Sequence, residues 1–236
     1  MTTSSKPVLV LVHGALTDAS VWSAVISQLQ QEGYRVVAPA LPMHGLASDG
    51  AYLASILATI DDDVVLVGHS YAGAVISHAP QRPGQVRAAV YIAAFQPDTG
   101  EAAGELNARF PGSLLGPDTM AFLTSPSGTD LYLKPEHFRA VYAADVSPAT
   151  TAVMAATQRP VDLRAMEEAL AGEPLWRSVP TWSLVSTDDL SIPPAALRFM
   201  AARAGSTVVE VKSSHAVPVS QPHAVTALIL KAAQAR

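Results

Sequence analysis

The sequence predicts an α/β fold: a doubly wound, mainly parallel sheet of about six strands that carries a helical cap insertion. Three observations predict it. Short uninterrupted runs of valine, leucine and isoleucine recur along the chain, the pattern of strands buried on both faces. Between them lie amphipathic or alanine-rich segments of helical length. The alternation then lapses after residue 96 and resumes at 179. Residues 1–96 and 179–236 therefore read as the core, and 97–178 as a cap folded over the carboxyl edge of the sheet.

The first buried strand, Pro7-Val8-Leu9-Val10-Leu11-Val12-His13, ends in His13-Gly14-Ala15. Ser20-Val21-Trp22 opens a helix whose Trp22, Val25, Ile26 and Leu29 share one face. Gly33 ends it where helices favour a left-handed residue. Residues 34–39 form a short strand, 41–46 a loop and 51–60 a helix. Asp61-Asp62-Asp63 is a solvated turn, since no histidine or further acid is spaced to complete a metal shell. A strand at 64–67 enters Gly68-His69-Ser70-Tyr71-Ala72-Gly73, a helix follows at 72–79, and 86–95 is again a buried strand. The insertion is proline-dotted and without a valine-rich strand. Its helices fall at 135–144, 148–158 and 161–171, the first two opening on proline where the missing N–H costs nothing. Strand 181–186, helix 194–204, strand 207–211 and helix 222–233 complete the core.

Composition excludes several functions. Hydrophobic residues make up 49% and charged ones 15%, which suits a packed core and not a disordered chain. A net charge of −5 with no basic block argues against a nucleic-acid partner. No apolar run approaches the length of a membrane span. The polar N-terminus lacks a signal-peptide core, so a cytoplasmic location is expected. With no cysteine there is no disulfide, thiolate zinc site or cysteine nucleophile.

Strand, tight turn, helix is the setting in which a G-x-S-x-G pattern becomes a nucleophile elbow, with Gly68 and Gly73 expected as the small flanks of the serine. Ser70 is then the nucleophile, held out at the carboxyl edge of the sheet on a strained turn that tolerates no bulk beside it. A serine needs a base, and the base an orienting acid, each at the carboxyl end of its own strand in the order Ser, Asp or Glu, His. Lys212-Ser213-Ser214-His215 follows strand 207–211, so His215 is the base. The other six histidines (His13, His44, His69, His78, His137 and His223) take structural or solvent roles. Asp188 and Asp189 follow strand 181–186, and Asp98 follows strand 86–95. Adjacent side chains diverge, and loop geometry favours Asp189. The oxyanion donors are the N–H of Tyr71, next after the nucleophile, and of Ala15 in the first βα loop. A phosphate cradle is excluded, because no Gly-Lys-Ser/Thr follows Gly68.

With those residues assembled, the chain resembles the α/β-hydrolase superfamily over nearly its whole length. More narrowly it is similar to the bacterial esterase-like branch related to plant methylesterases and hydroxynitrile lyases. The matching segments are Val12-His13-Gly14-Ala15 with Trp22, residues 65–73, Val90-Tyr91-Ile92-Ala93-Ala94, Asp189-Leu190-Ser191-Ile192-Pro193, and Ser214-His215 with Ser220-Gln221-Pro222. In that branch the acid stands three residues before an Ile-Pro pair, which implies Asp189. Its lyases carry threonine in place of Gly14 and lysine in place of Ala216, so the resemblance implies hydrolysis. The expected activity is cleavage of a carboxylic ester or lactone of a small apolar substrate, through an acyl-enzyme and without a cofactor or metal. A carbon–carbon hydrolase or lyase on the same triad, and a non-catalytic ligand receptor on this fold, are the alternatives. In the cap, aromatic and apolar residues such as Phe110, Met120, Phe122, Tyr132, Tyr142 and Trp176 supply either a pocket lining or the cap's own core.

Overall fold

The computed structural model describes residues 6–79, 81–126 and 128–235; residues 1–5, on which the expectation about a signal peptide partly rests, lie outside them. The core begins with β1 (Val8–Val12), α1 (Ser23–Gln31), β2 (Val36–Val37), α2 (Leu46–Leu57), β3 (Val64–His69), α3 (Ala72–His78) and β4 (Val86–Ile92). The inserted segment holds α4 (Ala103–Ala108), β5 (Met120–Ser125), β6 (Gly128–Leu133), α5 (Pro135–Tyr142), α6 (Pro148–Ala156), β7 (Val161–Asp162) and α7 (Leu163–Glu167). The core resumes with β8 (Thr181–Ser186), α8 (Pro194–Arg203), β9 (Thr207–Val211), α9 (Val217–Ser220) and α10 (Pro222–Gln234).

The six core strands form one parallel sheet in the order β2-β1-β3-β4-β8-β9. Every residue of β1, β3 and β8 is buried, as expected of unbroken aliphatic strands covered on both faces. Because the strands run the same way, the residues after β1, β3, β8 and β9 emerge along one rim, where an open α/β sheet presents its ligands.

Local chemistry moved several boundaries. Helix α2 starts at Leu46, five residues before the start expected from the sequence. Ser48, Asp49 and Gly50 are weak helix formers, but burial of Leu46, Leu53 and Leu57 overrides that propensity. The helix expected at 161–171 is instead strand β7 followed by α7, started by the Asp162 carboxylate accepting from Arg164 N–H at 2.9 Å. Between β4 and β8 the sequence predicts helices alone. The structure adds an antiparallel sheet, β5-β6-β7, in register Phe122↔Leu131 and Leu131↔Val161. Its hairpin buries Leu131 and Leu133 yet exposes Phe122 and Leu123, so no alternating pattern marked it.

Two glycines and two histidines show how tight the centre is. A Cβ on Gly73 would stand 2.0 Å from the Phe95 carbonyl oxygen and 2.8 Å from Ala94 Cβ, both backbone-fixed. One on Gly68 would meet the Ala72 carbonyl oxygen at 2.8 Å. His13 Nε2 accepts from Leu41 N–H at 3.0 Å, and His69 Nε2 donates to the His215 carbonyl at 2.9 Å. Both rings are fully buried. Burial lowers the pKa of each, His69 far below its ordinary value of 6.5 and with the neighbouring His215 adding to the effect.

Two outcomes follow. Gly73→Ala lowers the thermal midpoint by roughly 4–10 °C, through overpacking against fixed backbone. Gly116→Ala, where a Cβ meets nothing within 4 Å, leaves the midpoint unchanged in the same melt. Second, the unfolded chain binds protons at His13 and His69 below pH 6.5 where the native protein does not. Stability therefore falls as pH drops from 6.5 toward about 5. Asp49, whose carboxyl burial raises, works against that slope, one carboxylate against two imidazoles. The urea midpoint at pH 5.5 is lower than at pH 7.5; a flat or rising midpoint would contradict this.

Candidate active site

Ser70 sits at the turn between β3 and α3 with φ 56°, a left-handed conformation that costs a non-glycine residue about 1–3 kcal/mol. The turn is held open by its own backbone. Ser70 N–H donates to the Ile92 carbonyl at 3.3 Å, and its carbonyl accepts from Gly73 N–H at 3.0 Å and Phe95 N–H at 3.1 Å. The sequence predicts Gly68 and Gly73 as the flanks of the serine; two residues after Ser70 stands Ala72 instead, and Gly73 is needed for the close packing against Phe95.

Three of the side chains singled out in the sequence meet here. His215 Nε2 lies 2.8 Å from Ser70 Oγ, and its Nδ1 lies 2.6 Å from Asp189 Oδ2. The second carboxylate oxygen of Asp189 accepts from Ser191 N–H at 2.8 Å and Ile192 N–H at 2.9 Å. With both oxygens engaged, the carboxylate is fixed in orientation and faces Nδ1, so Nδ1 carries the hydrogen and Nε2 accepts from the serine hydroxyl. His215 and Asp189 are each 1% exposed. The adjacent His69 ring, 4.9 Å away, is neutral by its burial and adds no competing positive charge beside His215.

The rejected acids lie elsewhere. Asp98 forms an ion pair with Arg177, at 2.6 Å, which holds its carboxyl below the usual range. Asp188, next to Asp189, turns away and is bonded through its N–H to the Ser213 carbonyl at 3.1 Å. Asp62 and Asp63 face Arg35 and Arg87 at the surface. Among the described residues, no group of three His, Cys, Asp or Glu side chains is gathered as a metal site, and no helix is long and apolar enough to cross a membrane.

Ala15 and Tyr71 border the same cavity as Ser70 and His215. Among the described residues no backbone carbonyl accepts from the N–H of either. The first loop passes so near the serine that a Cβ on Gly14 would stand 2.5 Å from Ser70 Cβ and 2.8 Å from the His69 carbonyl oxygen. The Tyr71 hydroxyl donates to Asp49 Oδ2 at 3.0 Å, anchoring that residue from below. Burial, with the Asp49 charge beside it, pushes the phenol far up, so it remains a donor.

The cavity measures about 480 Å³. Apart from His215, its lining holds no ionisable acid or base other than tyrosine; Phe95, Phe110, Met120, Leu131, Leu163 and Met166 dominate. Phe110, Met120 and Leu131 come from the insertion between α4 and β7, and Leu163 and Met166 from α7. Sequence reasoning missed Ser191, Asp145 and Ser214, which tie the loops of the site to one another. The Ser191 hydroxyl donates to the Val141 carbonyl at 3.0 Å, and the Ser214 hydroxyl to the Asp145 carboxylate. Ser191 and Ser214 carried a signal only as members of the Asp189–Pro193 and Ser214-His215 segments, and Asp145 carried none.

Known proteins resemble this chain in sequence and in fold. The chain is 29% identical to a pyrethroid hydrolase of Sphingobium wenxiniae over 96% of its own length and 88% of that protein's. It is 27% identical to the esterase PIR7B of Oryza sativa subsp. japonica, covering 99% and 98% of the two chains. Among solved structures, a pyrethroid hydrolase from Sphingobium faniae JZ-2 superposes with a TM-score of 0.79 at 24% identity, covering 97% of this chain and 98% of that one. Polyneuridine aldehyde esterase gives 0.79 at 23% identity, with 96% and 99% covered. These structures share the fold. The model of the alpha/beta hydrolase family matches residues 9–228, and the chain belongs to that family of hydrolases.

Proposed function

We propose that the protein is a serine carboxylic-ester hydrolase working through an acyl-enzyme on a small, neutral, apolar ester or lactone. One observation carries the reading: an Asp189–His215–Ser70 chain of hydrogen bonds, at 2.6 and 2.8 Å, ends at a largely apolar cavity. His215 Nε2 takes the Ser70 proton as Oγ bonds to the ester carbonyl carbon. The carbonyl oxygen becomes an oxyanion and accepts from the N–H groups of Ala15 and Tyr71, each worth about 3–4 kcal/mol in a hole of this type. Asp189 holds the imidazole in its tautomer and stabilises the imidazolium. Collapse of the intermediate breaks the C–O bond, and His215 returns the proton to the departing alkoxide. Water, deprotonated by His215, then attacks the acyl-enzyme; its collapse releases the acid and restores Ser70.

Residues 97–178 act as a cap that selects the substrate. Its contribution to the cavity is mostly apolar, with Asn107 and Ser113 as its polar exceptions, and a carboxylate or ammonium on the substrate would be buried there without a side chain of opposite charge, at a cost of several kcal/mol. Relatives named pyrethroid hydrolase, esterase and methylesterase support hydrolysis of a carboxylic ester. Two positions speak against cyanohydrin cleavage. Any side chain at Gly14 collides with Ser70 in this backbone, and Ala216 is fully buried with no polar group to offer.

Ser70→Ala abolishes hydrolysis of a p-nitrophenyl short-chain ester, a loss of at least about 10³-fold in kcat, and prevents labelling by a fluorophosphonate probe. Wild-type labelling at any other residue would sink the mechanism. Asp189→Asn keeps the fold and lowers kcat by about 10³–10⁴-fold, because an amide facing Nδ1 favours the wrong tautomer. Asp98→Asn and Asp188→Asn stay within a factor of about three in the same assay.

A further inference from the structure

Tyr142, the last residue of α5, is where the inserted segment meets the core loops that carry the site. Its ring is buried and stands edge-on to the His215 ring, 4.7 Å away at 82°. Its carbonyl accepts from Ala216 N–H at 2.9 Å, directly after His215. Its hydroxyl donates to the Ala15 carbonyl at 3.3 Å. The other half of that same peptide group, Leu16 N–H, donates to the Arg159 carbonyl at 3.0 Å. One peptide of the first βα loop is thus gripped at both its oxygen and its nitrogen, and both grips come from the insertion.

That peptide needs holding. Leu16 has φ 63°, a left-handed conformation that a leucine does not keep without support. The peptide between Ala15 and Leu16 pivots on the same Cα as the Ala15 N–H. If it relaxes toward an ordinary backbone angle, that N–H swings away from Ser70. The phenol that restrains it is a reliable donor: burial, and then the charge of Asp189, push its pKa far above the ordinary value for tyrosine.

We propose that Tyr142 is a positioning residue for oxyanion stabilisation, clamping the Ala15–Leu16 peptide from the insertion so that the Ala15 N–H is aimed before substrate arrives. The inference rests on the acyl-enzyme reading, in which that N–H receives the oxyanion. It gives the insertion a second task besides enclosing the substrate. A donor that is displaced rather than deleted forfeits part of the 10²–10³-fold effect of losing one outright.

The test is Tyr142→Phe, which keeps the ring and removes only the hydroxyl. We expect kcat for a p-nitrophenyl ester to fall ~10-fold with KM within twofold, and the inhibition constant of a trifluoromethyl ketone to rise ~10-fold in parallel, since its hemiketal oxyanion uses the same hole. In the ligand-free protein, amide exchange at Leu16 accelerates several-fold while that of Val10 in β1 is unchanged. A hydroxyl that served only by touching substrate would leave Leu16 exchange alone. A kcat within twofold of wild type, or a reduced kcat with unaltered Leu16 exchange, overturns the clamp. Ser70→Ala, assayed alongside, separates the two readings. Activity surviving in Ser70→Ala overturns both, whereas an inactive Ser70→Ala with a wild-type-like Tyr142→Phe overturns the clamp alone.

Discussion

Close passage of three backbone segments at the end of β3 is the constraint on which the rest of the molecule depends. Gly14, Gly68 and Gly73 each lie so near a neighbouring backbone or Ser70 that no side chain fits there. The crowding holds Ser70 in a left-handed conformation that its own bonds disfavour, and the surrounding β1, β3 and β4 register supplies the restraint. Strain at the turn and burial of the strands beside it are two aspects of one arrangement. The aliphatic runs that make the sheet also fix where the hydroxyl emerges.

Around that hydroxyl, ionisable groups are few, and those of the triad are fully engaged. Both oxygens of Asp189 accept hydrogen bonds, His215 is bonded at both nitrogens, and His69 is held neutral by complete burial. The dry surroundings strengthen every one of these contacts, since a low local dielectric weakens screening. They also leave positive charge nowhere to settle except along the Asp189–His215 axis. In the proposed reaction the imidazolium forms at that place and at no other in the cavity.

Much of this could be read from the sequence, and the exceptions have causes. The inner core strands were legible because aliphatic runs have few alternatives to a doubly covered sheet, and Ser70, Asp189 and His215 because each follows a core strand, the last of them the half-exposed edge strand β9. The start of α2 was hidden by Ser48, Asp49 and Gly50, whose weak propensities are overruled by contacts made far along the chain. Strands β5 and β6 were hidden because the hairpin half-buries its faces, with Phe122 and Leu123 left out in solvent. Tyr142 stood among the aromatic residues of the insertion with nothing to mark it. Its partners, Ala15 and Ala216, are backbone groups 127 and 74 residues away in the chain, and backbone partners leave no trace in residue identity.

The small sheet of the insertion divides that segment into unequal parts. The hairpin, residues 120–133, reaches the cavity with apolar side chains, whereas Ser113 and Leu114 are bonded to the loop bearing Asp189 and 141–145 to the loops bearing Ala15 and His215 through Tyr142 and Asp145. Evolution can therefore rewrite the hairpin to accept a new guest molecule while the turnover apparatus stays untouched. The stretch just after it is bound to the ancestral chemistry, and a graft that exchanged the whole insertion would carry away part of the engine along with the gate.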